Sequence, residues 1–166
     1  NLSKIFGELF MLIEKDKRGI ELQLLYSDEN FSVPANVYII GMMNTADRSL
    51  AMLDYALRRR FSFFTMKPGF NAPGFQAYQD SLKSDDFNKL IACVKQLNSK
   101  IAEDISLGEG FCIGHSYFCS LTPETANTQT LSSIVEYELI PLLKEYWFDE
   151  PANVIDWGDR LRSAVK

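Results

Sequence analysis

Met43-Asn44-Thr45-Ala46-Asp47-Arg48-Ser49-Leu50-Ala51-Met52-Leu53-Asp54-Tyr55-Ala56-Leu57-Arg58-Arg59 is the stretch on which the fold turns. Before it, Val37-Tyr38-Ile39-Ile40-Gly41-Met42-Met43 is unbroken and apolar, as in a strand buried on both faces. After it, Phe61-Ser62-Phe63-Phe64-Thr65-Met66 is a second short apolar run. Strand, helix and strand in that order predict a right-handed crossover unit of a parallel sheet. In such sheets ligands gather outside the carboxyl ends of the strands. Asn44 stands there, a polar side chain ending an otherwise apolar strand, and Arg58, Arg59 and Arg60 close the helix that follows. A polar group at a strand tip beside a cationic helix end suits the handling of phosphate.

The same run resembles the second half of an AAA+ nucleotidase module. More narrowly it resembles the McrB family, the GTPase subunits of McrBC 5-methylcytosine-dependent restriction enzymes. The family hallmark Met-Asn-Thr-Ala-Asp stands unaltered at Met43-Asn44-Thr45-Ala46-Asp47. Asp47-Arg48-Ser49-Leu50, the block from Asp54 to Phe61 and Ile113-Gly114-His115-Ser116-Tyr117-Phe118 also fit. The likeness covers nearly the whole chain, with the central block the most specific. It implies an α/β fold: the C-terminal part of an AAA+ P-loop core, with a partial parallel sheet, flanking helices and a hairpin, followed by an α-helical lid.

Composition allows this. A chain of 166 residues with 46% hydrophobic content can bury a sizeable core. No apolar run approaches the roughly 20 residues that span a bilayer, and no signal peptide opens the chain, so a cytoplasmic protein without a membrane segment is expected. Leu2, Ile5, Phe6, Leu9, Phe10, Leu12 and Ile13 recur at helical spacing from the very first residues, which reads as a cut from a longer protein. The three cysteines, Cys93, Cys112 and Cys119, lack CxxC spacing and are expected as reduced, buried thiols. A formal charge of -5 argues against a broad duplex-DNA face on this piece.

Along the chain, the first helix is expected to run to about Lys15, where cations and Gly19 supply a stop. Ile20, Leu22 and Leu24 alternate with Glu21 and Gln23 as a half-buried strand. Ser27-Asp28-Glu29-Asn30 turns, and Phe31-Ser32-Val33 returns as the other arm of a hairpin. Lys67-Pro68-Gly69-Phe70-Asn71-Ala72-Pro73-Gly74 is the best linker, with two Pro and two Gly in eight residues. The division predicted is therefore residues 1–68 as core and 69–166 as lid. In the lid, helices are expected from Phe75 to Leu82, from Phe87 to Ile105 and from Gln129 to Trp147. Ser106 to Gly110 is a break, and Pro141 is a kink or a new turn within the last helix.

The resemblance gives the site residues their roles. Asn44 is implied as the first sensor, placing the attacking water near the γ-phosphate, where one positioned amide is worth much. Its bland reading is a strand end with Thr45 or Asp47 capping the next helix. Thr45 and Asp47 are implied beside the nucleotide, Asp47 with a share in choosing guanine, though a cap at the helix dipole explains it equally. An arginine finger reaching the neighbouring subunit is implied near the helix end. Arg59 or Arg60 is expected in that role, because Asp54 lies four residues before Arg58 and is placed to pair with it. His115, the sole histidine, stands where many AAA+ lids carry a second sensor arginine. Its reading as a satisfied structural residue competes with nucleotide contact together with Ser116.

Absences bound the function. No G-x-x-x-x-G-K-[ST] is present, none of the nine glycines precedes Lys, and no apolar strand ends in Asp-Glu. The resemblance implies that the phosphate loop and metal carboxylate lie upstream of Asn1, so the fragment alone is expected to be inactive. The parent is expected to be a homo-oligomeric, hexameric ring that hydrolyses GTP with Mg²⁺ and drives an McrC-type endonuclease subunit, other parts of it reaching DNA. A related AAA+ ATPase of remodelling or chaperone type, using ATP, is the alternative. A non-catalytic helical interaction module is the third reading.

Overall fold

The computed structural model describes residues 7–24, 27–44, 46 and 58–166. The chain divides into two compact units, Asn1–Thr65 and Met66–Lys166.

In the first unit, helix α1 (Gly7–Leu12) ends in a 3-10 turn at Lys15–Lys17. Its Leu12 and Ile13 are buried together with Val33. The hairpin forms as its alternation predicts: β1 (Leu22–Gln23) pairs antiparallel with β2 (Asn30–Phe31), Leu22 opposite Phe31 and Gln23 opposite Asn30. Asp28 takes φ 54° in the connection, a left-handed conformation that short polar side chains tolerate. Gly19 N–H then donates to Val33 O at 2.9 Å, closing the hairpin on the end of α1.

The two apolar runs depart from expectation. Residues 37–43 build no ladder, and Tyr38, Ile40 and Met42 are 88%, 91% and 97% exposed. Phe63, Phe64 and Met66 are likewise exposed and unladdered. A strand is buried only by neighbours on its edges and layers on its faces, and the described residues supply neither. The parallel crossover is thus not formed among them. The helix expected between these runs, Asp47 to Leu57, lies outside the described residues.

The second unit is helical and holds the main core. Helix α2 (Pro73–Leu82) starts on a proline, whose missing N–H costs nothing at a first turn, and stops where Lys83 turns left-handed. Helix α3 (Asp85–Glu103) is capped by Ser84, whose Oγ accepts from Phe87 N–H at 3.3 Å. Asp85 and Asp86 in its first turn meet the helix dipole favourably. Phe87, Leu90, Ile91, Val94, Leu97 and Ile101 form one buried stripe, at about 1.5–3 kcal/mol of transfer free energy per side chain before entropy is counted.

Helix α4 (Thr128–Ile134), capped by Asn127, runs through a π-helical segment (Val135–Leu139) into α5 (Ile140–Tyr146). The irregularity has a cause. Pro141 has no N–H to offer a carbonyl one turn back, and its ring crowds that carbonyl. The wider turn accommodates it. Glu136 within this segment takes a two-toothed ion pair from Arg162, Nε to Oε1 at 2.5 Å and Nη2 to Oε2 at 3.1 Å. That arginine belongs to helix α6 (Pro151–Ala164), which packs on α3 and α5 through Trp157, Gly158 and Leu161. The sequence reading missed α6, although Pro151 at its start and Val154, Trp157 and Leu161 at helical spacing announce it.

Candidate functional site

Each unit carries part of the expected site. In the first, Asn44 is exposed, and its Oδ1 accepts from Ala46 N–H at 3.1 Å. This is the local turn that Asn favours, and it fixes the amide's orientation. Only the oxygen is used, so the Nδ2 donors have no hydrogen-bond partner among the described residues. Thr45 and Asp47 lie outside the described residues, as does Asp54, the expected partner of Arg58.

The arginines differ in their surroundings. Arg58 and Arg59 are exposed. Arg60 is drawn inward: its Nη2 meets Glu14 Oε1 at 2.5 Å, with only 13% of its side chain exposed. An ion pair this shielded is more than a surface contact, because water screens it less. Arg18 performs a related task nearby. Its Nε donates to Ile13 O and its Nη1 to Val37 O, both at 3.1 Å, tying the end of α1 to the start of the apolar run. Sequence reasoning missed both arginine anchors, whose partners are too distant along the chain for spacing to reveal them.

In the second unit His115 and Ser116 open a 3-10 turn (His115–Phe118). The imidazole is already employed. Its Nδ1 accepts Gly69 N–H at 2.9 Å, which leaves the proton of the neutral ring on Nε2. Phe70 and Phe75 meet the ring edge-on, with centroids 6.2 and 5.8 Å away. Ser116 is exposed.

The turn rests on a firm base. Asn98, toward the C-terminal end of α3, holds both backbone groups of Ile113: its Nδ2 donates to Ile113 O at 2.9 Å, and its Oδ1 accepts Ile113 N–H at 2.6 Å. Tyr78 donates from its hydroxyl toward Phe118 O and Leu121 O, at 2.7 and 2.8 Å. Burial pushes the Tyr78 phenol above its ordinary range, so it stays a donor.

The cysteines are free thiols. Burial raises Cys93 and Cys112 above the ordinary thiol value, which keeps them protonated and poor nucleophiles. Cys119 is exposed rather than buried, because it follows the short turn at the surface of the unit; its Sγ rests on His115 O at 3.2 Å. No group of three or more His, Cys, Asp or Glu side chains is gathered for a metal among the described residues. Among them, too, no helix is long and apolar enough to cross a membrane.

Two family models match the chain, and they meet it on either side of the division. Residues 1–61 match the AAA domain of the dynein-related subfamily, and residues 89–155 match the alpha-helical lid domain of McrB. The chain is 50% identical over 171 aligned positions to the Escherichia coli K12 type IV methyl-directed restriction enzyme EcoKMcrB subunit, covering 97% of this chain and 37% of that protein. It is 27% identical over 132 positions to the Bacillus subtilis 168 type II restriction enzyme BsuMI component YdiS, covering 67% of this chain and 38% of that one. The chain therefore spans little more than a third of the length of these relatives. With an AAA segment leading into an McrB-type helical lid, and with Met43-Asn44-Thr45-Ala46-Asp47 intact, the chain belongs to the McrB family.

Proposed function

We propose that this chain is the C-terminal part of the AAA+ module of a GTP-hydrolysing ring subunit, one that powers a modified-cytosine-dependent restriction system. The observation that carries the reading is the Met43–Asp47 motif at the end of the AAA-matched residues, in a chain half identical to a methyl-directed restriction subunit. The subunit works in the cytoplasm, forms a homo-oligomeric ring, and drives an McrC-type endonuclease partner, with DNA contacted by other parts of the protein. The phosphate loop and metal carboxylate, which this sequence lacks, are expected in a part of the longer protein that this chain does not span.

GTP and Mg²⁺ are the proposed cofactors; the metal would be held outside this segment and would supply charge neutralisation at the phosphates. The chain's own residues contribute donors. Asn44, its oxygen held by Ala46 N–H, keeps its Nδ2 protons to offer, and these would serve a γ-phosphate or an attacking water. Arg59, exposed at the helix end, is the better finger for a neighbour's site. Arg60 would first have to leave Glu14, and so holds that helix end in place. Thr45 and Asp47 complete the nucleotide contacts of this segment. On the lid side, His115 can offer only its Nε2 proton, because Nδ1 serves Gly69, and Ser116 is exposed.

The test uses the full-length protein carrying this segment. Asn44→Ala should lower kcat by about 10²-fold with nucleotide binding little changed, since a water-positioning amide acts mainly in the transition state. Equal losses of binding and rate make Asn44 structural. Preference for ATP over GTP selects the remodelling-type ATPase, and no turnover of either selects a non-catalytic module. The isolated 166-residue chain should release no phosphate above blank, and turnover that follows it through purification defeats the reading.

A further inference from the structure

We propose that Glu14 is a positioning residue for hydrolysis: by holding Arg60, it fixes the point from which Arg59 reaches a neighbouring subunit's nucleotide. Glu14 aims a finger, so its role depends on Arg59 acting as proposed above.

Glu14 stands on a corner whose backbone is held on both sides. Its N–H donates to Met11 O at 3.3 Å, and its carbonyl accepts Lys17 N–H at 3.0 Å, where α1 passes into the 3-10 turn. Leu12 and Ile13, just before it, are buried. Arg18 reaches back to Ile13 O through Nε and out to Val37 O through Nη1. The Glu14 carboxylate therefore projects from a braced point. The same corner grips the chain on either side of the Met43–Asp47 motif, at Val37 before it and at Arg60 after it.

The two candidate arginines divide the work. Arg59 and Arg60 lie in the turn directly after the helical residue Arg58. Arg59 is exposed, whereas Arg60 turns inward onto Glu14, with 13% of its side chain and 32% of the carboxylate's exposed. Consecutive Cα atoms are about 3.8 Å apart, so a held Arg60 fixes where the Arg59 side chain begins. What remains free is the arginine's own torsions. That matters because a reacting or stabilising group displaced by about 1 Å can lose on the order of 10²-fold in rate. A shielded ion pair also braces the fold, and only a kinetic signature separates bracing from aiming.

The test is GTP hydrolysis with Mg²⁺ by the full-length protein carrying this segment. Glu14→Ala should lower kcat by roughly 10-fold with nucleotide binding unchanged, since the fault falls on the neighbour's site. Mixing it with Asn44→Ala should restore part of the rate. In an Arg59→Ala background, Glu14→Ala should lower kcat no further, because no finger is left to aim. An unchanged kcat in Glu14→Ala, beside a defective Arg59→Ala, overturns the proposal and leaves the finger standing. So does a loss that adds in full to that of Arg59→Ala, which makes the pair a structural brace. If Arg59→Ala itself leaves kcat unchanged, finger and aim fall together. Where Glu14→Ala fails to fold by circular dichroism, Glu14→Gln decides, since it keeps the length and one acceptor oxygen. Its smaller loss should vanish in the Arg59→Ala background, and an additive loss refutes the proposal.

Discussion

Asn98→Ala removes a side chain that stands in for a strand neighbour. Ile113 is 1% exposed, and its N–H and C=O both terminate on the Asn98 amide. A buried backbone group left without a partner costs about 1–3 kcal/mol, and two are orphaned here. Some relaxation toward water is available, because the Asn98 side chain is only part-buried. A loss of about 3 kcal/mol follows. With a urea slope of about 1–2 kcal/mol/M for a unit of this size, the midpoint should fall by about 2 M while the slope stays fixed. Trp147 and Trp157 both lie in the buried core of the helical unit, so tryptophan fluorescence reports on it. Asn88→Ala is the internal control on the same helix. Its exposed amide accepts from Gln79 at 2.7 Å, and its loss should cost no more than about 0.5 kcal/mol. Similar losses for the two variants, or a loss below about 1 kcal/mol at Asn98, would refute the claim that Asn98 anchors the segment before His115.

Gly108 adopts φ 83° and ψ -177°, with nothing within 4 Å of a built Cβ, so Gly108→Ala should cost about 1–3 kcal/mol from backbone strain alone in the same urea assay. The Asp104 carboxyl is held below its ordinary range, first by the hydrogen bond from Trp147 Nε1 at 2.8 Å and also by Ser106 and Leu107 N–H. A depressed folded value gives stability that is present above about pH 4 and lost as pH falls through it. The pH-stability curves of Asp104→Asn and the unaltered chain should therefore converge below that window. In the ring proposed for the full-length protein, Arg59→Ala should still bind nucleotide, and mixing it with Asn44→Ala should restore part of the hydrolysis in proportion to the mixing ratio. No rescue in rings shown to exchange subunits returns Arg59 to dipole compensation, worth about 0.3–1 kcal/mol.

The helical half was legible because its signals are local. The stripe from Phe87 to Ile101 and the break from Ser106 to Gly110 both act within a turn or two of the residues they govern. The hairpin was readable for the same reason. The apolar runs at 37–43 and 61–66 were read as strands from composition, but burial belongs to a sheet, and their neighbours are not among the described residues. At the candidate site, Asn44 was singled out through its motif and its place. What spacing could not supply were the tertiary pairings that sort equivalent residues: Glu14 distinguishing Arg60 from Arg59, and Gly69 claiming one nitrogen of His115.

The wide turn at Val135–Leu139 sets the helix's phase. Leu131 and Ile134 are buried ahead of it, Val135 and Leu139 at its two ends, and Ile140, Leu143 and Trp147 after it. An unbroken α-helix continuing the first stripe would bring residues 138, 142 and 145 inward instead. The turn thus stores one surplus residue and lets both halves share a single apolar face. Losing a residue between 136 and 138 would straighten the helix and keep Leu143 and Trp147 on the buried face, at the roughly 3 kcal/mol that Pro141 costs inside a regular helix, whereas a deletion between 139 and 142 that left the wide turn intact would rotate both by about 100° toward water. Length and proline are thus coupled in this helix, the surplus residue being what lets Pro141 stand within it.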